Sequence, residues 1–169
     1  SHEDLIDENA SIIRDDILRS IKIFEENLGK NSIFFSYPFG EYSIEFKNII
    51  KDLGFKYAFG QHSGVMDDTK NLWELPRFPI NEKYGDLKRF KTLMKTLPLK
   101  FKDLIPEEKY IDQSNNPPKV KIEFFEDMKN LKNISCYSNE ENVWRKSEIN
   151  FININQNEIE LNGKFIGER

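Results

Sequence analysis

The sequence holds too little cysteine and histidine to build a site from those residues alone. Cys136 is the single cysteine of 169 residues, so no internal disulfide can form. The two histidines, His2 and His62, together with one thiol make no zinc-finger pattern. A structural metal site held by cysteine and histidine alone is therefore excluded.

An excess of positive charge is also missing, and so is any long apolar run. Lys+Arg number 25 against 29 Asp+Glu, which gives a net charge of -4. Because a phosphate-binding surface usually needs an excess of Lys and Arg, we expect no nucleic-acid partner. The apolar runs are too short for a membrane span, and the charged first residues are not typical of a signal peptide. The chain starts at Ser1 without Met, which is compatible with a fragment, so bacterial cytoplasm and cell envelope both stay open.

The first half of the chain alternates helical and strand patterns. Residues 9–28 place apolar side chains at helical spacing and are followed by Gly29, a typical helix stop. Five further elements are predicted, in the order strand, helix, strand, extended piece and helix: Ile33–Ser36, Ser43–Gly54, Lys56–Phe59, Leu72–Ile80 and Tyr84–Leu97. The last helix has one apolar face, formed by Leu87, Phe90, Met94 and Leu97. Such alternation is typical of an α/β fold with a parallel sheet or barrel.

Two predicted loops come directly after strands. They are Tyr37–Gly40 and Gln61–Gly64. In parallel α/β folds, binding and catalytic sites form from the loops at the carboxyl ends of the strands. These loops are therefore the first place to expect a site.

The pattern changes after residue 97. Residues 98–118 hold four prolines and a polar stretch, and we interpret them as a linker. Residues 119–169 then alternate apolar and polar side chains with a period of two, at Val120–Phe124, Ile149–Ile154 and Ile159–Leu161. The predicted organisation is an α/β part over 1–97, a linker over 98–118 and a small antiparallel β unit without catalytic residues over 119–169.

The succession of motifs in the first part resembles a known family. The order is Tyr-Pro-Phe-Gly at Tyr37–Gly40, then Asp-Leu-Gly-Phe at Asp52–Phe55, and later Leu-Pro-Arg at Leu75–Arg77. This order is similar to the second half of the catalytic domain of polysaccharide deacetylases (NodB-homology enzymes). The resemblance implies that residues 1–97 are the C-terminal part of a deacetylase-type (β/α) barrel. It also implies metal-dependent removal of acetyl groups from N-acetylated sugars in a polysaccharide or glycan.

The resemblance implies specific roles for several residues. In the family, one Asp and two His hold a divalent metal, for which we expect zinc, and His2 stands at the place of the second His. The family loop reads Arg-x-Pro-Tyr, whereas Ser36, Pro38 and Phe39 stand here at the Arg, Pro and Tyr positions. The backbone N–H of the last position stabilises the oxyanion, and Phe39 keeps that donor. A metal would polarise the amide carbonyl and activate water, and the N–H would hold the developing charge.

The remaining candidates each have two readings. Tyr37, Pro38 and His62 are predicted to contact substrate, and the alternative for each is an ordinary turn residue. Arg77 either pairs with a buried carboxylate or orients a catalytic Asp in place of the Arg missing at Ser36. His2 is predicted as a metal ligand or, alternatively, as a remnant at the chain end.

For several other residues we favour a structural role over a functional one. Trp73 and Trp144 are either sugar platforms or packing residues, and packing is the commoner role. Asp67 and Asp68 are interpreted as a turn, and Cys136 as a small buried apolar residue. For the whole chain, the alternatives to the deacetylase are a non-catalytic glycan-binding or accessory module on the same fold and a metal hydrolase of another amide. The chain alone, which contains no Thr-Phe-Asp-Asp segment, is expected to be inactive.

Overall fold

The fold is taken from a computed structural model that describes residues 9–109, 118–125, 131–140, 143–152 and 158–162. The predicted metal ligand His2 lies outside these residues. The chain divides into two compact units, Ser1–Leu99 and Lys100–Arg169.

The first unit begins with the long helix α1, Ala10–Leu28. Its apolar stripe turns Ile17 into the core, with Ile13 and Ile21 packed beside it. Gly29 ends the helix in the left-handed conformation, at φ 67°, and its N–H donates to the Glu25 carbonyl at 2.8 Å. The predicted helix and its stop are confirmed.

Two short parallel strands follow, β1 at Phe34–Ser36 and β2 at Tyr57–Phe59. Helix α2, Ile44–Asp52, connects them, and the Ser43 hydroxyl caps it by accepting from the Phe46 N–H at 3.1 Å. Phe59 also forms a parallel bridge with Leu75. The mixed α/β content is confirmed, whereas the deacetylase-type barrel stays a prediction, because these strands do not by themselves form one.

Aromatic residues dominate the core of this unit. The Phe35 ring meets the rings of Tyr37, Phe46 and Phe55 edge-on, at 5.4, 5.9 and 5.2 Å between centroids. Such edge-to-face pairs add to the free energy gained from burial. The other side of β1 is not covered, since Phe34 is 54% exposed.

Helix α3 spans Leu87–Leu93 and is shorter than the predicted Tyr84–Leu97. The Asp86 carboxylate accepts from the Arg89 N–H at 2.9 Å, which fixes the start of the helix. After Leu93 the chain continues in turns toward Pro98. The predicted apolar face is present in sequence but exposed in the fold.

The second unit is made of antiparallel strands. Its strands are β3 to β8, at Asp103–Ile105, Lys119–Glu123, Cys136–Glu140, Val143–Ser147, Ile149–Phe151 and Glu158–Asn162. Four of them form one sheet in the order β3-β4-β8-β7, and β5 pairs with β6 in a hairpin. Phe124 is fully buried and packs against Leu131 in a small core of this unit, with Cys136 partly buried beside them.

The predicted linker is wrong at one place. Asp103–Ile105, within 98–118, pair with Lys121–Glu123 as β3. The prolines do not prevent this, because Pro106 follows the last paired residue and needs no ladder hydrogen bond there.

Candidate active site

The loops that follow β1 and β2 lie directly against each other. Gly40 has φ 76°, and a Cβ placed on it would sit 2.5 Å from the Gln61 backbone nitrogen. The Tyr37 N–H also donates to the Phe59 carbonyl at 3.1 Å. Only glycine fits at position 40, so the two loops that the sequence singled out share one edge of the unit.

A third segment joins this edge. The Gly60 N–H donates to the Leu75 carbonyl, and the Arg77 N–H donates to the His62 carbonyl, both at 3.0 Å. The Arg77 side chain is exposed, and no carboxylate among the described residues pairs with its guanidinium. The reading of Arg77 as partner of a buried carboxylate finds no support there, and the reading as an orienting residue stays a prediction.

Phe39 has an unusual backbone conformation at the tip of the first loop. Its φ is 54° and ψ 4°, and its side chain is 85% exposed. The Gly40 and Glu41 N–H groups hold the turn by donating to the Tyr37 and Pro38 carbonyls at 2.9 and 3.1 Å. A left-handed conformation costs a non-glycine residue about 1–2 kcal/mol, and such residues cluster at functional sites.

The predicted substrate contact of Tyr37 is wrong for its side chain. Tyr37 is 1% exposed, and its hydroxyl donates to the Trp73 carbonyl at 2.8 Å. Burial raises the pKa of this phenol above its usual range, and the neighbouring Tyr42 and Glu74 add to the effect. Tyr37 therefore anchors the loop to the core.

A largely buried ion pair joins helix α2 to the segment before Leu75, and the sequence did not predict it. Lys47 lies on the buried face of α2, and its Nζ is 2.9 Å from Glu74 Oε2. The two side chains are 7% and 26% exposed. Burial, followed by the charge of Glu74, raises the pKa of the adjacent Tyr42 phenol. The available signal was a lysine among the apolar positions of α2, since a buried lysine needs a carboxylate partner.

The other predicted contact residues remain accessible. Pro38 and His62 are exposed. The imidazole of His62 lies close to Gly60: a Cβ on that glycine would be only 2.7 Å from Nδ1. Trp73, by contrast, is a packing residue: its Nε1 donates to the Phe55 carbonyl at 2.9 Å.

An open apolar groove of about 980 Å³ runs between α1 and β1 and reaches the first loop. Its apolar lining includes Ile12, Phe24, Phe34 and Phe39, all at least 40% exposed. Asp16, Ser36 and Glu41 add polar groups along it. Pro38 also lines it, so the groove and the candidate loop form one continuous surface.

The described residues do not provide a metal site by themselves. No group of three His, Cys, Asp or Glu side chains within them could hold an ion. The Asp67–Asp68 pair is no exception, since Asp67 Oδ1 accepts from the Thr69 N–H at 2.8 Å in a local turn, as expected. No reaction step through a metal can therefore be drawn from these residues.

The Tyr37–Gly40 loop lies in a segment that matches a known family model. The polysaccharide deacetylase family model matches residues 1–58. Over these residues the chain is similar to polysaccharide deacetylases. The matched deacetylase segment contains α1, β1, the Tyr37–Gly40 loop and α2, and it ends inside β2. No curated protein and no solved structure matches the chain.

The match confirms the family that the motifs predicted. It ends at residue 58, whereas the motif resemblance continues to Leu75–Arg77. It includes His2, Pro38 and Phe39. It does not include His62, Arg77 or any residue of the second unit. The roles predicted for His62 and Arg77 therefore rest on the order of the sequence motifs and stay predictions.

Proposed function

We propose that this chain forms part of a catalytic domain that hydrolyses the acetamide of N-acetylated sugars in a polysaccharide or glycan. The observation that carries the proposal is the family match over residues 1–58, which includes the loop after β1. An acetylated polysaccharide is the substrate that this family implies. Metal dependence, with zinc the expected ion, belongs to the same proposal and rests on the family resemblance.

The conformation of Phe39 supports a role for its backbone N–H. Amide hydrolysis needs a donor fixed toward the developing oxyanion, because a preorganised donor costs no reorganisation as charge develops. The turn around Phe39 is fixed by backbone hydrogen bonds and by the buried Tyr37. The exposed Phe39 side chain leaves the backbone role independent of the change from Tyr to Phe.

The open groove supports the proposal that the domain is partial. Parallel sheets are normally covered on both faces, whereas β1 leaves Phe34 half exposed beside an apolar groove. An apolar surface of this kind normally has a covering partner. Further strands of a deacetylase barrel, carrying the missing Asp and His, would supply both the cover and the remaining ligands.

The first test is an activity measurement on the chain alone. We expect no release of acetate from N-acetylated chito-oligosaccharides in the presence of Zn²⁺, compared with a metal-free blank. The described residues lack a three-ligand set, and the sequence lacks the Thr-Phe-Asp-Asp segment. Turnover above the blank would show that the chain is a complete catalyst and would contradict the partial-domain proposal.

The second test uses the protein with its complete catalytic domain. We expect His2→Ala to remove about one metal equivalent and nearly all turnover, because a catalytic metal with two protein ligands left is held weakly. Phe39→Gly is the matched control in the loop, since glycine keeps the N–H and accepts φ 54°. Full metal and activity in the His2 variant would make His2 a bystander at the chain end.

The second candidate is a glycan-binding or accessory module without catalysis. Trp144 favours it, because its side chain is 68% exposed on the β5–β6 hairpin and could stack on a sugar ring. Metal analysis separates the two candidates. A complete domain that binds glycan, holds no metal and releases no acetate would favour the module.

A further inference from the structure

Positive charge is concentrated on and just after α3. Residues 87–99 contain Lys88, Arg89, Lys91 and Lys95 and no acidic residue, although the whole chain has a net charge of -4. The nearest acids along the chain are Asp86, which caps the helix, and Asp103. This segment is therefore a local cationic region in an acidic protein.

One side of α3 is fastened to the first unit. Arg89 Nη1 donates to the Pro79 and Tyr84 carbonyls at 3.0 and 2.9 Å, and its guanidinium lies over the Tyr84 ring. Leu93 is half-buried on the same side. These contacts fix the orientation of the helix and decide which side chains face outward.

The outward side consists of an apolar stripe beside a lysine stripe. At 100° per residue, Leu87, Phe90 and the C-cap residue Met94 fall within a narrow arc of α3, and Lys88 and Lys91 fall next to it. Lys95 and Leu97 follow just after the end of the helix. The exposed fractions of the apolar side chains are large: 66% for Leu87, 43% for Phe90, 72% for Met94 and 84% for Leu97. Single exposed apolar residues are ordinary, but a contiguous patch normally marks an interaction surface.

We propose that the stripe of Leu87, Phe90, Met94 and Leu97 docks on an anionic lipid surface. The four apolar side chains enter the boundary between headgroups and acyl chains, and Lys88, Lys91 and Lys95 contact lipid phosphates at its side. A basic amphipathic segment of this pattern is typical of membrane-surface binding. None of the helices that the structure describes could itself cross a membrane, so the contact is peripheral.

The combination of charge and apolar stripe favours lipid over a soluble polyanion. A nucleic acid or an anionic glycan would use the lysines, but it would leave Met94 and Leu97 in water. A bilayer uses both stripes at once, because the hydrocarbon boundary takes up the apolar groups and the headgroups pair with the cations. The helix is short, so the binding is reversible. Because the lysines contribute part of the attraction, the binding also weakens with added salt.

The experiment is co-sedimentation of the full chain with lipid vesicles. We expect binding to phosphatidylcholine vesicles that contain phosphatidylglycerol, and much weaker binding to phosphatidylcholine alone. Each basic residue near an anionic surface contributes about a fivefold gain in partitioning, so Lys91→Gln/Lys95→Gln should lose about 25-fold. Met94→Ser/Leu97→Ser should lose at least tenfold with the charge unchanged.

Two exposed lysines elsewhere in the same unit supply the charge-matched control. Lys30→Gln/Lys56→Gln removes the same charge from outside α3 and should reduce vesicle binding by less than the lysine pair of the helix. All these positions are exposed, so circular dichroism should show each variant folded. The control also separates local docking from attraction by overall charge.

Two results would overturn the proposal. One is a lack of binding to the phosphatidylglycerol vesicles. The other is binding that survives Met94→Ser/Leu97→Ser and is matched by soluble dextran sulfate, which would show a purely electrostatic polyanion site. The test is independent of deacetylation, because the α3 stripe contains none of the residues assigned to that reaction.

Discussion

The two units of the chain bury their apolar residues in different ways. In Ser1–Leu99, residues from helices, strands and a loop meet in one core, where Tyr37, Ile50 and Ala58 are at most 1% exposed. In Lys100–Arg169, neighbouring strands pair in antiparallel register around Phe124. The first unit thus positions its loops by side-chain packing, whereas the second is organised mainly by backbone pairing.

The largest expected losses of stability come from truncating one buried side chain in each core. Phe124→Ala should lower the free energy of unfolding of the second unit by about 4 kcal/mol, and Ile50→Ala that of the first by about 3 kcal/mol. Both side chains are fully buried, so each truncation leaves a cavity. Chemical unfolding followed by tryptophan fluorescence measures both losses.

The two tryptophans separate the units in this experiment. Trp73 lies in the first unit and Trp144 in the second, so Trp73→Phe and Trp144→Phe backgrounds each report one unit. We expect Ile50→Ala to shift mainly the Trp73 transition and Phe124→Ala mainly the Trp144 transition. Equal shifts of both transitions by either variant would break the comparison between two separate cores.

Gly40→Ala should be the next most damaging change. A Cβ there meets the Gln61 backbone at 2.5 Å and must also adopt φ 76°, so we expect a loss of about 3 kcal/mol. Gly29→Ala is the matched control, because φ is 67° there with nothing within 4 Å of a Cβ, and it should cost about 1 kcal/mol. Thermal unfolding measures both, and equal losses would mean that the two loops do not approach closely.

Removal of Lys47 should have a moderate effect. Lys47→Met leaves the partly buried Glu74 carboxylate without its cation at 2.9 Å, and we expect a loss of about 2 kcal/mol. Lys47→Met/Glu74→Gln should recover part of this loss, because the uncompensated charge is gone. A double-mutant cycle by urea denaturation gives the coupling. Purely additive losses would contradict a direct pair.

The smallest expected effect is that of the Tyr37 hydroxyl. Tyr37→Phe leaves the Trp73 carbonyl without its donor at 2.8 Å, and we expect a loss of about 1 kcal/mol near neutral pH. The pKa of Tyr37 is raised by burial above its usual value of about 10. The unfolded phenol therefore ionises first, so stability is complete below pH ~10 and falls as the pH rises further.

A double variant serves as the control for the loss of stability at alkaline pH. Tyr37→Phe/Tyr42→Phe removes both phenols with raised pKa, so the unfolding free energy of the first unit should fall less steeply above pH ~10. Unfolding curves at a series of alkaline pH values measure this slope. An unchanged slope in the double variant would place the alkaline sensitivity elsewhere.

Much of the local structure could be predicted from the sequence. The end of α1 at Gly29 and the cap of α2 at Ser43 follow from the chemistry of helix ends, which involves neighbouring residues only. Strands β4, β7 and β8 of the second unit follow from a period of two, because alternate side chains of a strand lie on one face. Strands β3, β5 and β6 were not predicted from that pattern. The Tyr37–Gly40 loop was found from its motif, and the family match at residues 1–58 includes it.

The sequence by itself therefore determined the order of helices and strands in the first unit, the deacetylase relationship over residues 1–58 and the loop to inspect. Only the tertiary structure decided that Tyr37 turns inward while Phe39 turns outward, and that Lys47 is paired with Glu74, 27 residues away. It also left the apolar stripe of α3 exposed, although its spacing is that of a buried face. The physical reason is that capping and periodicity depend on near neighbours, whereas burial and charge pairing depend on which distant segment folds against a residue.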